Sequence, residues 1–402
     1  MILKEFFTYY FSHVDDEVRK IYAGLLPQEE DLAGAYAEMF SRHDEEALKF
    51  LLDFYSVSFK LCRENPRQAI LFNVNDNVCF DFFLDYVWNT LTGEEQDKVF
   101  AACAVSSYEE VKQKLKKDVA LRNWFRREIG SGLDQEELFT LNEVISLQNF
   151  SSGGESSFLQ YVYPRIKDKS GRVLDGGCGA GFATLVMSQY MEVYSLDACQ
   201  ARLKRAHALA EMMKRGERKI FPQIISLIQK ELGGIEVEYE FPDAEKLLNQ
   251  KPKDVHFTWG SLDKLPYEDN FFHFINCLDV LEHTYDPEAI VKEFARVLRP
   301  GGQVFITAPT RYGEWEQRIH ESIEGTLFPA MLHMHHFDQE ILRDMFSRHG
   351  LREVEVVPFD FMTYEDFLHI AEKSPDGELA EDLKQKSFDK VALQLFAVYE
   401  KI

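Results

Sequence analysis

Val173-Leu174-Asp175-Gly176-Gly177-Cys178-Gly179-Ala180-Gly181-Phe182 is the stretch whose reading decides the fold. An apolar run ends in an acidic residue and a glycine-dense turn follows. A helix-like segment then leads to a second apolar run, Tyr194-Ser195-Leu196-Asp197. This is one β-turn-α-β unit of the kind that cradles a nucleoside ligand. Glycine lets the backbone come close to a ligand because no Cβ intrudes. Asp197 ends the second run, where a carboxylate can accept hydrogen bonds from both ribose hydroxyls. The dinucleotide fingerprint needs its third glycine three positions after the second. Position 182 is instead Phe182, and the third glycine, Gly181, comes one residue early. A bulky residue opening the helix leaves less room for a pyrophosphate there.

A second segment narrows the reading. It contains Gly260-Ser261-Leu262-Asp263-Lys264-Leu265-Pro266-Tyr267, then Leu281-Glu282-His283, then Arg296-Val297-Leu298-Arg299-Pro300-Gly301-Gly302. Phe274 to Leu278 is a short apolar strand, Pro300-Gly301-Gly302 a turn that cannot continue a helix, and Val304 to Thr307 the next buried strand. With the Asp-x-Gly-x-Gly-x-Gly pattern of Asp175 to Gly181, these motifs resemble the class I S-adenosylmethionine-dependent methyltransferases. The type in question includes the ubiquinone and menaquinone biosynthesis C-methyltransferases. The resemblance covers roughly residues 151–357 well and the last strands loosely. It does not extend to residues 1–150.

The resemblance implies a seven-stranded, doubly wound, Rossmann-like α/β sheet and S-adenosyl-L-methionine as cofactor. It places Asp175, Gly177, Gly179 and Gly181 at the methionine end of that cofactor. Asp197 would hold the ribose, with Ala198 against the adenine. Ser261 and Leu262 fall where the family has an aspartate and its neighbour at the adenine amine and ring nitrogen. Ser261 departs from that pattern, because a hydroxyl accepts a hydrogen bond more weakly than a carboxylate. Leu278 would lie behind the cofactor at the strand end.

Substrate-side candidates belong on the loops after the fourth and fifth strands, because ligands bind at the carboxyl ends of parallel strands. Asp279, Glu282, His283, Tyr312, Trp315, Glu316 and His320 fall there. A histidine base is expected from His283, His333 or His335. The segment His333-Met334-His335-His336 is not read as a metal site. It leads into Phe337-Asp338-Gln339-Glu340, where Asp338 can cap a helix.

The chain carries 45 Lys and Arg against 68 Asp and Glu, a formal net charge of −23. Residues 1–150 hold 16 basic against 27 acidic side chains, and the remainder 29 against 41, so neither half is a hidden basic patch. A phosphate backbone would be repelled on average, which argues against nucleic acid as a partner. The one basic run is Lys112, Lys114, Lys116, Lys117, Arg122, Arg126 and Arg127. Acidic residues accompany it, as on a solvated helix face. The six cysteines, at 62, 79, 103, 178, 199 and 277, form no Cys-x-x-Cys pair. They read as small buried residues, and no zinc ribbon is implied. The first residues lack a basic segment and a small-residue cleavage site, and no run is long enough to span a bilayer. A cytoplasmic chain is the expectation.

Residues 1–150 read as an all-α domain of six or seven helices. Breaks are expected near 24–30, 64–67, 73–77, 92–94 and 130–133. Its dense aromatics are read as a packed core, with an aromatic pocket or lid over the site as the alternative. Ser151-Ser152-Gly153-Gly154-Glu155-Ser156-Ser157 is a linker by composition. A methyltransferase domain over 151–402 follows, with a helix from 158 to 167. Its strands are expected at 172–175, 193–196, 255–259, 273–278, 303–308, 353–358 and 393–400. The resemblance implies that the last is an antiparallel strand inserted beside the sixth. The 57 residues between Asp197 and Val255 are about twice what the family needs, so residues 212–253 hold an insertion. The function that follows is methyl transfer to a small organic molecule. The alternatives are a protein or peptide methyltransferase that docks through residues 1–150, and a cofactor-binding scaffold without transfer activity. Oligomeric state is not legible.

Overall fold

The computed structural model describes residues 2–65, 78–118, 157–217, 252–310, 337–359, 378–385 and 394–402, with isolated positions between them. Two compact units divide the chain: Met1–Leu147 with His320–Met334, and Gln148–Ile319 with His335–Ile402.

The described part of the first unit is helical: α1 (Ile2–His13), α2 (Asp16–Ala23), α3 (Leu32–Ser41), α4 (Glu45–Glu64), α5 (Val78–Thr90), α6 (Gly93–Cys103) and α7 (Tyr108–Lys117). The expected breaks near 24–30, 64–67 and 92–94 are present, and those near 73–77 and 130–133 lie outside the described residues. Three further breaks have polar residues at their helix starts. Asp44 accepts a hydrogen bond from the Ala47 amide. Ser107 and Glu110 form a reciprocal capping box, as do Thr92 and Glu95 at the break foreseen there. Asp15 opens α2 without a side-chain cap.

The aromatic residues of this unit form its core. Phe6, Phe7, Tyr10, Tyr22, Tyr36 and Phe54 are fully buried. Edge-to-face contacts join Phe7 to Tyr36 at 5.1 Å and Phe40 to Phe54 at 5.0 Å. Such pairs are each worth roughly 0.5–1.5 kcal/mol beyond area burial. The buried phenols are satisfied, since Tyr36 donates to the Tyr22 carbonyl at 2.7 Å and Tyr22 meets Ser58 at 2.9 Å. The basic run is partly neutralised within the fold. Lys112 pairs with Asp85 at 3.0 Å and Lys116 with Asp81 at 2.6 Å. Arg122, Arg126 and Arg127 lie outside the described residues.

Early in the described part of the second unit lies a π-helical turn, Phe158–Val162, continued by α8 (Tyr163–Ile166). A seven-stranded sheet follows: β1 (Arg172–Gly176), β2 (Glu192–Asp197), β3 (Val255–Trp259), β4 (Phe272–Leu278), β5 (Leu298–Pro309), β6 (Leu351–Phe359) and β7 (Gln394–Lys401). Its order is β3-β2-β1-β4-β5-β7-β6. The first five strands are parallel, and β7 runs antiparallel between β5 and β6. Helices α9 (Phe182–Met187), α10 (Gln200–Lys214), α11 (Pro287–Val297), α12 (Gln339–Ser347) and α13 (Leu379–Lys384) occur among these strands. Val173, Leu174, Ile275, Val304 and Ile306 are buried in the central strands, as parallel sheets covered on both faces require.

The chain order reverses between β1 and β4, the switch point where open α/β sheets bind ligands. Asp338 caps α12 as expected, accepting from the Ile341 amide at 2.8 Å. β5 begins five residues before its expected start, because Leu298 already pairs with Phe272 ahead of a register shift. The expected insertion at 212–253 is described only at its ends and the linker only at Ser157, while residues 311–334 lie outside the described residues. Cys79, Cys103, Cys178, Cys199 and Cys277 are buried and form no disulfide among the described residues. Among the described residues, no helix is long and apolar enough to cross a membrane.

Candidate functional site

The loop after β1 is shaped by what surrounds each glycine. Gly177 has φ +74, and a Cβ there would lie 2.4 Å from the Val280 side chain. Gly181 has φ +87, and a Cβ would meet that of Ala206 on α10 at 2.6 Å. These two glycines let the loop close against its neighbours. Gly179 differs. Its φ is +53, yet a Cβ would meet nothing within 4 Å. The backbone is therefore open to an approaching ligand at Gly179.

Asp197 ends β2 and reaches back to this loop. One carboxylate oxygen accepts from the Gly179 amide at 2.8 Å and the other from the Cys199 amide at 2.8 Å. Gly177 and Cys178 also donate to the Leu196 carbonyl, at 2.8 and 3.1 Å. The loop and the end of β2 thus form one hydrogen-bonded unit. Ala198, next in the chain, is exposed. Its carbonyl accepts from the Trp259 indole at 2.8 Å.

Asp175 is turned inward. Its carboxylate accepts from Thr184 at 2.5 Å and from Asn276 on β4 at 2.8 Å. Thr184 also meets Ser195 at 2.8 Å, which extends the network to β2. Burial outweighs these bonds and pushes the Asp175 carboxyl up to about 6. This aspartate fastens β1, β2, β4 and α9 together beneath the loop.

Ser261 and Leu262 follow β3. Ser261 is exposed, and Leu262 is buried with its methyl groups against Gly176. Arg296 holds this segment in place. Its guanidinium donates to the carbonyls of Leu265 at 3.0 Å and Tyr267 at 2.7 Å, and to Glu293 at 2.7 Å. Glu293 in turn accepts from the Leu265 amide at 2.8 Å. The Arg-x-Leu-x-Pro-Gly-Gly motif therefore acts in part as a brace for the Leu-Pro-Tyr loop.

Leu278 is half-buried at the end of β4. Asp279 follows it with φ +53, an uncommon conformation that aspartate tolerates better than most residues. Thr307 on β5 donates to its carboxylate at 2.9 Å and accepts from its amide at 2.9 Å. Burial pushes the Asp279 carboxyl up to about 6. Glu282 stands in the next turn, 1% exposed, and among the described residues one of its oxygens has no hydrogen-bond partner. Burial first, and the charge of Asp279 second, hold its carboxyl well above the usual range. Leaving such a group unsatisfied costs roughly 1–3 kcal/mol, an expense associated with functional sites.

His283 lies with its Nε2 3.9 Å from Glu282, and the His335 amide donates to the Glu282 carbonyl at 3.2 Å. The structure thus gathers two of the three expected histidines around Glu282. His333 lies outside the described residues, with Tyr312, Trp315, Glu316 and His320. Among the described residues, no group of three or more His, Cys, Asp or Glu side chains is arranged to hold a metal ion. The Asp279 and Glu282 pair was legible only as two acids three residues apart. Its burial was not.

A reversed-order sheet with an antiparallel seventh strand, and a glycine loop tied to an acid at the end of β2, define a Rossmann-like domain of the methyltransferase type. The family described as methyltransferase domain matches residues 155–356, just over half of the chain, and the chain belongs to that family. A ubiquinone biosynthesis O-methyltransferase of Xanthomonas euvesicatoria is 28% identical over 156 residues, covering 38% of this chain and 49% of its own length. An uncharacterized methyltransferase of Schizosaccharomyces pombe is 31% identical over 147 residues, 36% of this chain and 41% of its own. The chain thus spans about half the length of these curated relatives. A solved Pyrococcus horikoshii protein is 15% identical with a TM-score of 0.39, covering 63% of this chain and 93% of its own.

Proposed function

We propose that the chain transfers a methyl group from S-adenosyl-L-methionine to an oxygen of a small organic molecule. The observation that carries this reading is Gly179, open on its Cβ side and bonded through its amide to Asp197. The arrangement fits a nucleoside: close backbone on one side and a carboxylate on the other. Asp197 would hold the ribose hydroxyls, and Ala198 would lie against the base with Ser261 and Leu262 along its amine and ring-nitrogen edge. Gly177, Gly179 and Gly181 would border the methionine end, and Leu278 would lie behind the cofactor. Asp175 supports that end from below.

The bound cofactor would supply a methyl carbon that already carries its leaving group. What the protein must add is proximity, in-line approach and the removal of any proton on the acceptor. The Asp279 and Glu282 pair suits the last task. Burial raises the affinity of both carboxyls for a proton. The pair can therefore accept the proton of a hydroxyl acceptor, with Thr307 fixing Asp279 and His283 beside Glu282. The name of the Xanthomonas relative supports oxygen as the accepting atom.

Incubation with methyl-labelled S-adenosylmethionine and a crude cell extract, followed by size fractionation, tests this. Label should appear in a low-mass fraction. Label in macromolecules would favour a protein or peptide acceptor. Binding without formation of S-adenosylhomocysteine in any extract would mean a scaffold.

A further inference from the structure

We propose that Trp259 is the solvent-side wall of the base pocket, an aromatic platform for the purine of the cofactor. The inference rests on the nucleoside site proposed above. Trp259 is the last residue of β3, and its backbone is paired in register with Asp197, the proposed ribose residue. The next amide, Gly260, donates to the Asp197 carbonyl at 3.2 Å. The indole is 62% exposed, whereas the core of this unit is closed without it. A single exposed hydrophobe needs no explanation on its own. This one is held in place: its N–H donates to the carbonyl of Ala198, the residue that follows the ribose carboxylate. Strand alternation sets Trp259 on the same face of β3 as Phe257, which meets His207 of α10 at 5.3 Å between ring centroids. The ring is thereby oriented beside the start of α10, where Ala198 leads into the helix.

Pinning removes rotamer freedom from an aromatic face that still looks onto water. That is what a stacking platform needs, because every base offers a π-face and a pre-oriented ring loses little entropy on binding. A ring recruited only for packing would be buried instead.

The test is titration of S-adenosylhomocysteine into the full chain, followed by calorimetry and by tryptophan emission. Wild type should bind with a change in emission. Trp259→Phe should bind two- to threefold more weakly, roughly the loss of the pinning hydrogen bond while the ring remains. Most of the emission change should vanish. Trp259→Ala should lose affinity on the order of tenfold, with an unchanged melting temperature because the ring lies outside the core. If wild type binds but Trp259→Ala binds equally well, the platform is wrong and the nucleoside site stands. The same follows if the emission change persists in Trp259→Phe. If wild type does not bind and Asp197→Ala leaves that unchanged, the nucleoside site and the platform fall together.

Discussion

The amide of Gly179 donates to the carboxylate of Asp197 at 2.8 Å, across the gap between the glycine loop and the end of β2. This bond makes the loop and the strand end a single preformed surface. The carboxylate also accepts from Cys199 and so fixes the start of α10. A residue placed this way can orient a ribose and hold its own surroundings rigid.

Asp197→Ala should therefore weaken S-adenosylhomocysteine binding by about 1.5–3 kcal/mol, the range for hydrogen bonds to a charged group. Asp197→Asn keeps an acceptor for one of the two amides and should lose less. Isothermal titration decides. An alanine variant with wild-type affinity would remove Asp197 from the site.

The glycines of the loop should separate under mutation. Gly181→Ala drives a methyl group to 2.6 Å from Ala206, so its cost is a packing clash as well as backbone strain. Gly179→Ala meets no neighbour and pays only for a left-handed φ, about 1–2 kcal/mol. Thermal melts should show the larger fall for Gly181→Ala. Titration should show that Gly179→Ala, though better folded, loses most of its affinity for S-adenosylhomocysteine. Equal affinity of Gly179→Ala and wild type would mean that no ligand approaches that backbone.

The strands were legible because each is an apolar run ended by a turn residue, and β3 matches its expected bounds. The cap at Asp338 was legible for a similar local reason. What escaped the sequence depends on distant partners. Asp175 is a motif residue in the chain but an internal brace in the fold, because Asn276 lies on β4, 101 positions away. Alternation along β1 says that Asp175 and Val173 share a face. It says nothing about which polar group waits on the neighbouring strand. The raised carboxyls of Asp279 and Glu282 likewise depend on burial that no local pattern announces. The early start of β5 comes from the pairing of Leu298 with Phe272, and the turn-forming Pro300-Gly301-Gly302 masked it.

The brace at Asp175 should leave a signature in stability. Its carboxyl is raised to about 6, above the value near 3.9 of an unfolded aspartate. The folded state holds that proton more tightly. Its contribution is complete below pH 4 and is lost as pH rises through 6. Asp175→Asn removes the titration. In urea unfolding, wild type should lose on the order of 2–3 kcal/mol more than the variant between pH 4 and pH 7.5. Parallel pH profiles would show that Asp175 does not titrate in this window.

Thr307→Val tests the proton-accepting pair. Valine has nearly the same shape as threonine but lacks the hydroxyl, so the change removes both of the bonds that Thr307 makes to Asp279. That hydroxyl donates to the Asp279 carboxylate and favours its charged form. Without it, Asp279 should hold its proton to higher pH. Once an acceptor is in hand, the acidic limb of kcat/KM should move up by about one pH unit, from the loss of one hydrogen bond to a charged group. The variant should be several-fold slower at pH 6 and should approach wild type as pH rises past the shifted limb. Two results would count against the pair. An unmoved limb would mean that another group takes the acceptor's proton. An equal loss at every pH would mean that Thr307 acts only by holding Asp279 in its left-handed conformation, through the amide it also accepts from.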